Sequence, residues 1–288
     1  MTGHPVALAG RNVLVTGGSR GIGYAIAAAC LRAGAQVMLA SRTETTLGAA
    51  VDGLRKQGAG VEGVCCDVSE PAGIDAAVAH AEASFGRIHG LVHAAGILGP
   101  IGPVVDADPE EWLDAVKVNL FGTFLAVRGV GRHMARRGGG RMVCLSGGGA
   151  SGPFPNYTAY ASAKVGVVRF CETVAVELAP AGVEVNALGP GFVATDIHRQ
   201  TLLAGDRAGE DYLASTRAQL ASGGVPPEVA AGAATFLLSD AAAGITGRFV
   251  AAPYDGVVDW PDHRSELDGS DLFTLRRIVP RDRGGDWQ

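Results

Sequence analysis

The segment Asn12-Val13-Leu14-Val15-Thr16 runs directly into Gly17-Gly18-Ser19-Arg20-Gly21-Ile22-Gly23. Its first five residues form an apolar run of strand length, and residues 21–33 have the composition of an Ala-rich helix. Glycines at such a junction allow a tight turn and a close approach of the main chain to a ligand, and the helix N-terminus offers unpaired N–H groups. The spacing Gly-x-x-x-Gly-x-Gly therefore predicts a loop that binds a pyrophosphate, with a packing turn as the alternative.

Short apolar runs alternate with longer amphipathic segments from this junction to about residue 188. The alternation predicts an α/β fold, namely a Rossmann-like, doubly wound parallel sheet in a single domain with a C-terminal extension. Right-handed crossovers then place the ligand beyond the carboxyl ends of the strands. The predicted strands are 12–16, 36–40, 61–66, 90–93, 141–145 and 183–188, and the predicted helices are 21–33, 43–57, 71–85, 109–136 and 158–178.

Bulk composition excludes several classes of protein. The 288 residues are 47% hydrophobic with 43 glycines and a net charge of −5, and the basic residues are scattered, which argues against nucleic acid as a partner. No segment reaches the roughly 18 apolar residues of a membrane span, and the N-terminus lacks the pattern of a signal peptide, so we expect a cytoplasmic protein without a membrane partner. The five cysteines suggest neither disulfides nor a metal site.

Three regions are expected along the chain. Residues 1–254 form the predicted nucleotide-binding domain, and within it residues 192–224 form a helical insertion over the substrate, called the lid below. The lid carries His198, Arg199, Arg207 and Arg217 among acidic residues, a mixture that indicates a solvated surface more than a site for an anionic substrate. Residues 255–288 form a charged tail with apolar residues, which we expect to pack on the lid or on a neighbouring subunit.

Tyr160 and Lys164 stand four residues apart in Tyr-Ala-Ser-Ala-Lys, so in a helix both side chains project from one face. A phenol with a pKa of about 10 is a weak acid at neutral pH, and an ammonium about 4 Å away lowers that pKa by roughly 3 units. The pair predicts a tyrosine acid–base catalyst assisted by a lysine. An exposed helix lysine beside a packed tyrosine is the plainer alternative.

The end of the second predicted strand favours one nicotinamide cofactor over the other. An acidic residue there would bind the ribose 2′-hydroxyl of NAD and repel a 2′-phosphate, but the chain reads Met38-Leu39-Ala40-Ser41-Arg42. Ser41, Arg42 and Arg20 of the glycine loop suit a 2′-phosphate through charge-assisted hydrogen bonds. The sequence therefore predicts NADP(H), with the arginines solvated on turns as the alternative.

The glycine loop, Tyr160 and Lys164 together resemble the short-chain dehydrogenase/reductase family, in its compact single-domain branch, over residues 10 to about 252. Asn119, in Val-Asn-Leu-Phe-Gly, is similar to the family's active-site asparagine, which keeps a helix open so that a water chain reaches the lysine. The resemblance implies that the cofactor is bound by Gly17, Ser19, Arg20, Gly21, Ile22, Gly23, Ser41, Arg42, Asp67, Val68, Ala94, Ala95, Gly96, Tyr160, Lys164, Pro190, Gly191, Val193 and Thr195.

Two positions depart from the family pattern. The family's Asn-Asn-Ala-Gly after the fourth strand is His93-Ala94-Ala95-Gly96 here, and His93 either stacks near the cofactor or packs in the core. The catalytic serine of the family lies thirteen residues before the tyrosine, where this chain has Gly147. Because glycine tolerates nearly any backbone angle, we expect residues 146–152 to absorb the shift and Ser146 to act as the serine. Ser151 is the first alternative, and a site without a serine is the second.

The resemblance implies an NADPH-dependent enzyme that reduces a ketone on a small biosynthetic intermediate, or oxidises the alcohol. Ser146 would orient the carbonyl, Tyr160 would donate the proton, and Lys164 would hold the nicotinamide ribose. A sugar or cyclitol dehydrogenase is a second hypothesis, and an NADP-binding sensor without turnover is a third. Phe154 and Tyr157 are expected to line the pocket and fit either a ring-bearing ketone or a sugar. The family also implies a homotetramer or homodimer formed through helices 109–136 and 158–178.

Overall fold

Seven parallel strands form a single sheet in the order β3-β2-β1-β4-β5-β6-β7. The structure is a computed structural model that describes residues 6–287, and the predicted domain start at residues 1–5 and the last residue of the tail lie outside that range. The predicted α/β fold and all six predicted strands are confirmed, and β7 adds a seventh at the edge. The strands are β1 Asn12–Thr16, β2 Gln36–Ser41, β3 Val61–Cys65, β4 Gly90–His93, β5 Gly140–Leu145, β6 Val183–Gly189 and β7 Phe249–Ala251.

Helices cover both faces of the sheet because the strands are apolar on both sides. Helices α1, α2 and α9 bury side chains such as Ile26, Leu54 and Phe236 in one core, and α3, α5 and α6 bury Ile74, Val130 and others in a second. The helices are α1 Gly21–Arg32, α2 Glu44–Arg55, α3 Pro71–Phe85, α4 Pro109–Val116, α5 Gly122–Arg136, α6 Thr158–Leu178, α7 Asp196–Ala204, α8 Glu210–Ala221, α9 Pro227–Leu238 and the short α10 Arg264–Leu267.

The helix predicted over residues 109–136 is one helical segment that changes geometry in the middle. Asp108 caps it by accepting hydrogen bonds from the main-chain N–H groups of Glu110 and Glu111. A π-helical stretch, Lys117–Phe121, then separates α4 from α5. Such π segments widen a helix locally and are frequent at functional sites, and this one contains Asn119.

The order of the strands creates a crevice at the carboxyl end of β1. This strand pairs with β2 on one side and with β4 on the other, so the connections leave in opposite directions from its end. Thr16, the last residue of β1, stands between Ala40 and His93 in the register of the sheet. The glycine loop therefore opens into the crevice where doubly wound sheets bind ligands.

The C-terminal tail packs along the outer edge of the sheet in its own chain. The N–H of Phe249 in β7 donates to the carbonyl of Phe273 at 2.8 Å, and the guanidinium of Arg248 donates to three tail carbonyls. Trp260 is buried and stacks on Phe273 with ring centroids 4.2 Å apart. These contacts place the tail on β7 and α6, where the sequence led us to expect packing on the lid or on a neighbouring subunit.

Candidate active site

A cavity of about 850 Å³ occupies the crevice at the carboxyl ends of the strands. Cavities of this size hold cofactors and small molecules in other proteins. All the residues predicted to bind the cofactor line it, from the glycine loop at one end to the β6–α7 connection at the other. These residues, which are far apart in the chain, thus line one continuous cavity.

The glycine loop is packed so tightly that a side chain at two of its glycines would collide with the neighbouring main chain. A Cβ atom on Gly17 would lie 2.6 Å from the main-chain nitrogen of Ala95, and Gly17 also has a left-handed φ of +64°. A Cβ on Gly23 would lie 2.3 Å from the carbonyl oxygen of Gly17. No side chain caps the N-terminus of α1, so its N–H groups face the cavity without a partner from that position. This cradle fits the pyrophosphate of a dinucleotide.

The predicted 2′-phosphate site combines two hydroxyls and one guanidinium. The hydroxyl oxygens of Ser19 and Ser41 lie 2.8 Å apart, which brings the glycine loop and the end of β2 together, and Arg42 is exposed beside them. Arg20 points toward the lid, where its guanidinium lies 3.6 Å from the carboxylate of Asp196. Arg20 is therefore turned toward the lid, whereas Arg42 follows Ser41 directly and lines the cavity at this end.

Asp67 lies in the loop after β3, and its carboxylate is held in place as a hydrogen-bond acceptor. The N–H and hydroxyl of Ser69 donate to its carboxylate at 3.0 and 2.6 Å, and these bonds, with the positive charge of Arg42, lower the pKa of Asp67. The carboxylate therefore stays ionised and in one orientation. Its neighbour Val68 is buried and also lines the cavity.

Tyr160 and Lys164 project from one face of α6 into the same cavity, as predicted. The ammonium of Lys164 donates to the carbonyl of Leu145 at 2.9 Å and lies 5.6 Å from the centre of the Tyr160 ring. The charge therefore faces the ring and is held by β5. Burial lowers the pKa of Lys164 to about 8.

The expected acidification of Tyr160 is not found in the protein without a cofactor. Burial raises the pKa of Tyr160 above its ordinary value, and the nearby phenol of Tyr212 raises it further. Removing the hydroxyl from water disfavours the charged phenolate, and burial is the larger of the two causes. The phenol is consequently neutral throughout the physiological pH range.

Ser146 lies in the cavity wall, but its hydroxyl has a partner in the protein. It is buried and donates its proton to the carbonyl of Lys164 at 3.0 Å. The residue that faces the Tyr160 hydroxyl is Gly147, where an added Cβ would come within 2.4 Å of the phenolic oxygen. The glycine run therefore does not shift Ser146 into the predicted position. A serine has one proton to donate, and here it holds the main chain of α6. Ser151, the alternative, lines the same cavity at an exposed position.

Asn119 is fully buried in the π segment and holds the loop after β4. Its amide nitrogen donates to the carbonyls of Ile97 and Ala115 at 2.7 and 2.8 Å, and its side-chain oxygen accepts from the N–H of Ile97. A Cβ on Gly96 would meet that oxygen at 2.7 Å. Asn119 therefore supports the cavity from behind and is not part of its lining.

His93 packs beneath the cavity, the second of the two predicted outcomes. Its Nδ1 lies 2.8 Å from the hydroxyl of Thr16, across the β1–β4 pair, while Nε2 is buried without a hydrogen-bond partner. Burial and the charge of Lys164 lower the pKa of His93 to about 3. The imidazole is therefore neutral and serves the packing of the two strands.

The far end of the cavity is aromatic, and sequence motifs did not reveal this. Phe154 lines the cavity and stacks on Tyr157 with ring centroids 4.3 Å apart, but Tyr157 is fully buried behind it. Tyr212, on α8 of the lid, meets the Phe154 ring edge-on at 4.7 Å. No motif marks Tyr212, because its place depends on how the lid packs against Phe154 and Tyr157.

The lid also contributes a stacked pair on its own side. The rings of Phe192 and His198 lie 3.7 Å apart and nearly parallel, and burial lowers the pKa of His198 to about 4. Arg199 pairs with Asp196 at the surface, and neither it nor Arg207 nor Arg217 lines the cavity. The lid charges thus form a solvated face, the interpretation that the sequence favoured.

Within residues 6–287 the structure contains neither a cluster of metal ligands nor a membrane-spanning helix. No group of three or more potential metal ligands occurs in that range. None of its helices is long and apolar enough to span a bilayer. All five cysteines are free thiols, and only Cys65 is exposed.

Comparison with known proteins gives consistent matches over nearly the whole domain. A family model described as enoyl-(acyl carrier protein) reductase matches residues 17–252. The short-chain reductase protein NovJ of Streptomyces niveus is 38% identical over 220 residues, which cover 76% of this chain and 83% of NovJ.

Two solved structures show the same fold with different cofactors. Actinorhodin polyketide ketoreductase with NADPH has a TM-score of 0.78 at 31% identity and covers 84% of this chain and 95% of its own. NAD⁺-bound xylitol dehydrogenase has a TM-score of 0.79 at 27% identity and covers 85% and 98%. The comparisons thus support a nicotinamide cofactor and leave the choice between NAD and NADP to the residues of this chain.

Proposed function

The chain belongs to the short-chain dehydrogenase/reductase family, and we propose that it uses NADPH to reduce a ketone to a secondary alcohol on a small biosynthetic intermediate. One observation carries the proposal. A single cavity connects the glycine cradle at the β1–α1 junction with the hydroxyl of Tyr160 and the ammonium of Lys164. A dinucleotide in the cradle and a proton donor at the other end are the two requirements of carbonyl reduction.

The residues at the adenosine end favour NADPH. Ser19 and Ser41 present adjacent hydroxyls, Arg42 adds a positive charge, and β2 does not end in a carboxylate that would repel a 2′-phosphate. Arg20 becomes available to a phosphate if its exposed pair with Asp196 opens, because an ion pair at 3.6 Å in water is weak. Among the similar structures, the ketoreductase holds NADPH.

Reduced nicotinamide supplies a hydride to the carbonyl carbon. The protein must then deliver a proton to the oxygen, and Tyr160 is the donor because its neutral phenol lines the cavity. Lys164 keeps a positive charge below about pH 8 and stabilises the negative charge left on the phenol. Asn119 fixes the loop that carries Gly96 next to this lysine. We assign Ser146 a positioning role, since its proton is given to the carbonyl of Lys164.

The pKa values suit the reductive direction. A general acid must be protonated before the reaction, and burial keeps Tyr160 protonated at any physiological pH. Oxidation of an alcohol would instead need a phenolate, which this environment disfavours. The cellular NADP pool is mostly reduced, which pulls the reaction in the same direction.

A sugar or cyclitol dehydrogenase is the second candidate. It is favoured by the likeness to xylitol dehydrogenase and by the amides of Gln200 and Gln219 in the cavity lining, which could bind hydroxyl groups. A dinucleotide sensor without turnover is the third, and the absence of a serine side chain at Gly147 is its motivation. Reduction of ketones that carry no hydroxyl groups, without reduction of ketoses or cyclitol ketones, would support the first candidate.

The central experiment replaces Tyr160 with phenylalanine. We expect Tyr160→Phe to lose nearly all turnover, measured as loss of reduced-nicotinamide absorbance over a panel of ketones. NADPH affinity, measured by quenching of protein fluorescence, should stay within a few-fold of the unmodified protein. Retained turnover would refute Tyr160 as the proton donor. Tight NADPH binding with no substrate reduced by the unmodified protein would favour the sensor.

We also propose a homodimer or homotetramer formed through α5 and α6. Phe121, Phe124, Val165 and Val176 are apolar side chains exposed on or next to these helices. Burying them against a second copy is favourable at about 25 cal/mol per Å² of apolar surface. The cytoplasmic location expected from the sequence stays a prediction.

A further inference from the structure

The wall of the cavity next to Tyr160 is built from aromatic rings. Phe154 and Tyr212 both line the cavity, and each contacts the fully buried ring of Tyr157 behind them, at 4.3 and 5.2 Å. The hydroxyl of Tyr157 donates to Thr201 at 2.9 Å and locks this support in place. Phe154 also meets the Tyr160 ring at a near right angle. The aromatic wall is therefore rigid and adjacent to the proton donor.

The glycine run leaves this wall bare. A Cβ on Gly148 would lie 3.1 Å from the Phe154 ring, and one on Gly149 would lie 2.5 Å from the Cβ of Ala161. Any larger residue at these positions would push the wall aside or cover it. Because these residues have no side chains, the aromatic wall faces the cavity directly beside Tyr160.

The lid supplies a second pair of rings. Phe192 and His198 both line the cavity and stack on each other at 3.7 Å. With a pKa of about 4, the imidazole is neutral at physiological pH. It thus behaves as a polarisable aromatic surface and not as a cation.

Charge is confined to other parts of the cavity. Arg20, Arg42 and Asp67 lie at the dinucleotide end, Asp196 pairs with Arg20, and Lys164 is held by β5 beneath Tyr160. An anionic group at the aromatic end would lose hydration without gaining an opposite charge, which costs several kcal/mol. A polyol hydroxyl placed against these rings, away from the amides of Gln200 and Gln219, would lose hydrogen bonds to water without replacing them. A neutral ring instead gains stacking and edge contacts with the wall.

We propose that the substrate is an uncharged carbonyl compound bearing an aromatic ring, bound with its ring against Phe154 and Tyr212 and covered by the Phe192–His198 pair. This inference rests on the proposed function and specifies its substrate class. It separates the two chemistries that the sequence left equal, a ring-bearing ketone and a sugar.

A matched pair of substrates tests the role of the ring. We would compare a phenyl alkyl ketone with its cyclohexyl counterpart, the same phenyl ketone carrying a ring carboxylate, and a ketose. The expected kcat/KM for the phenyl ketone is about tenfold or more above that for the cyclohexyl ketone, since only the phenyl ring makes favourable edge and stacking contacts with two aromatic side chains. The carboxylate and the ketose should be poorer still.

Variants of Tyr212 supply the matched control. Tyr212→Leu should lower the phenyl-to-cyclohexyl ratio several-fold, to the level that Phe154 alone supports, while Tyr212→Phe, which keeps the ring, should preserve it. An unchanged ratio in Tyr212→Leu, or equal kcat/KM for the two ketones in the unmodified protein, would overturn the proposal. So would a preference for the ketose or the carboxylate.

A binding measurement separates this inference from the proposed function. Calorimetry of the same compounds with the protein saturated in NADP⁺ reports affinity without turnover. If no compound is reduced but the phenyl ketone still binds about tenfold more tightly than the cyclohexyl ketone, the reductase proposal fails and the aromatic site stands. If ketones are reduced with no such difference in affinity or rate, the reductase proposal stands and the aromatic site fails.

Discussion

The phenolic oxygen of Tyr160 lies so close to Gly147 that a Cβ atom on residue 147 would come within 2.4 Å of it. Real Cβ atoms do not approach an oxygen that closely, so any side chain here requires the tyrosine to move. The family pattern nevertheless places a serine at this position. Tyr160 has therefore taken space that the serine would occupy, and it does so next to a wall that cannot retreat because Phe154 is stacked on Tyr157.

Substitution of Gly147 tests this arrangement. In Gly147→Ala the new methyl group should displace the Tyr160 hydroxyl, and we expect kcat to fall about tenfold to a hundredfold, as misplacement by about 1 Å does in other enzymes. Gly147→Ser has the same Cβ but adds a hydrogen-bond donor for the carbonyl oxygen, so it should be more active than the alanine variant. Steady-state kinetics and NADPH binding would be measured together. An alanine variant with unchanged kcat would contradict the contact.

Ser146→Ala distinguishes a positioning role from direct contact with the substrate. Loss of the hydrogen bond to the carbonyl of Lys164, which keeps its partner within α6, should lower the free energy of unfolding by about 0.5–1.5 kcal/mol. We expect kcat to change only a few-fold. A fall of about a hundredfold or more with unchanged stability would instead identify Ser146 as the donor to the substrate carbonyl. Ser151→Ala, at the exposed alternative, is the matched control.

The glycine loop and the Tyr160–Lys164 pair could be predicted from the sequence because both depend on local signals. The glycine loop requires its residues through contacts such as that of Gly17 with Ala95, and the Tyr160–Lys164 spacing is a property of one helix. These features depend on short stretches of chain and on the alternation of strands and helices. They could therefore be predicted without knowledge of the packing.

The parts that were missed depend on packing between distant segments. Tyr212 reaches the site because α8 packs against Phe154 and Tyr157, and no local pattern indicates it. The serine position depended on whether the glycine run would shift, which its sequence permits but the contact with Tyr160 prevents. The pKa of Tyr160 is raised by burial and by Tyr212 of the lid, and neither can be read from the spacing of Tyr160 and Lys164.

Ser41→Asp tests the choice of cofactor. A carboxylate beside the Ser19 hydroxyl should repel the 2′-phosphate of NADPH and accept a hydrogen bond from the ribose of NADH. One unit of charge repulsion near the surface amounts to about 1–4 kcal/mol, so we expect NADPH affinity to fall at least about tenfold relative to NADH. Ser41→Asn, of similar size but neutral, is the control and should keep NADPH preference. Unchanged selectivity of the aspartate variant in competition binding would count against NADPH.

Arg248→Ala tests whether the tail stabilises the domain. The guanidinium donates to the carbonyls of Leu267, Ser270 and Leu272 at 2.6 to 3.0 Å, next to the strand whose edge the tail covers. Charge-assisted hydrogen bonds contribute about 1.5–3 kcal/mol each at most, and some water will replace them. We expect the free energy of unfolding in urea to fall by about 2–4 kcal/mol. Arg217→Ala, on the exposed face of the lid, should leave it unchanged, and equal effects of both variants would disprove the tail's contribution.

The buried ammonium of Lys164 should make the free energy of unfolding depend on pH in the alkaline range. Its pKa is 10.5 in the unfolded chain and about 8 in the folded protein, because burial disfavours the charge. Between these two pH values the unfolded state holds a proton that the folded state has lost, so the free energy of unfolding rises with pH across this window. Below about pH 8 both states are protonated, and the folded state bears the full cost of the buried charge.

Comparison with Lys164→Met isolates the effect of the lysine charge on the free energy of unfolding, because methionine has a similar length and no charge. Between pH 8 and 10.5 the stability of the unmodified protein should rise by about 3 kcal/mol relative to the variant, as measured by urea unfolding of the cofactor-free proteins. Over the same window kcat/KM of the unmodified enzyme should fall, because the neutral amine no longer stabilises the phenolate of Tyr160 or binds the ribose. A stability difference that stays constant with pH would mean that Lys164 keeps an ordinary pKa. In that case its charge would acidify Tyr160 in the way the sequence first suggested.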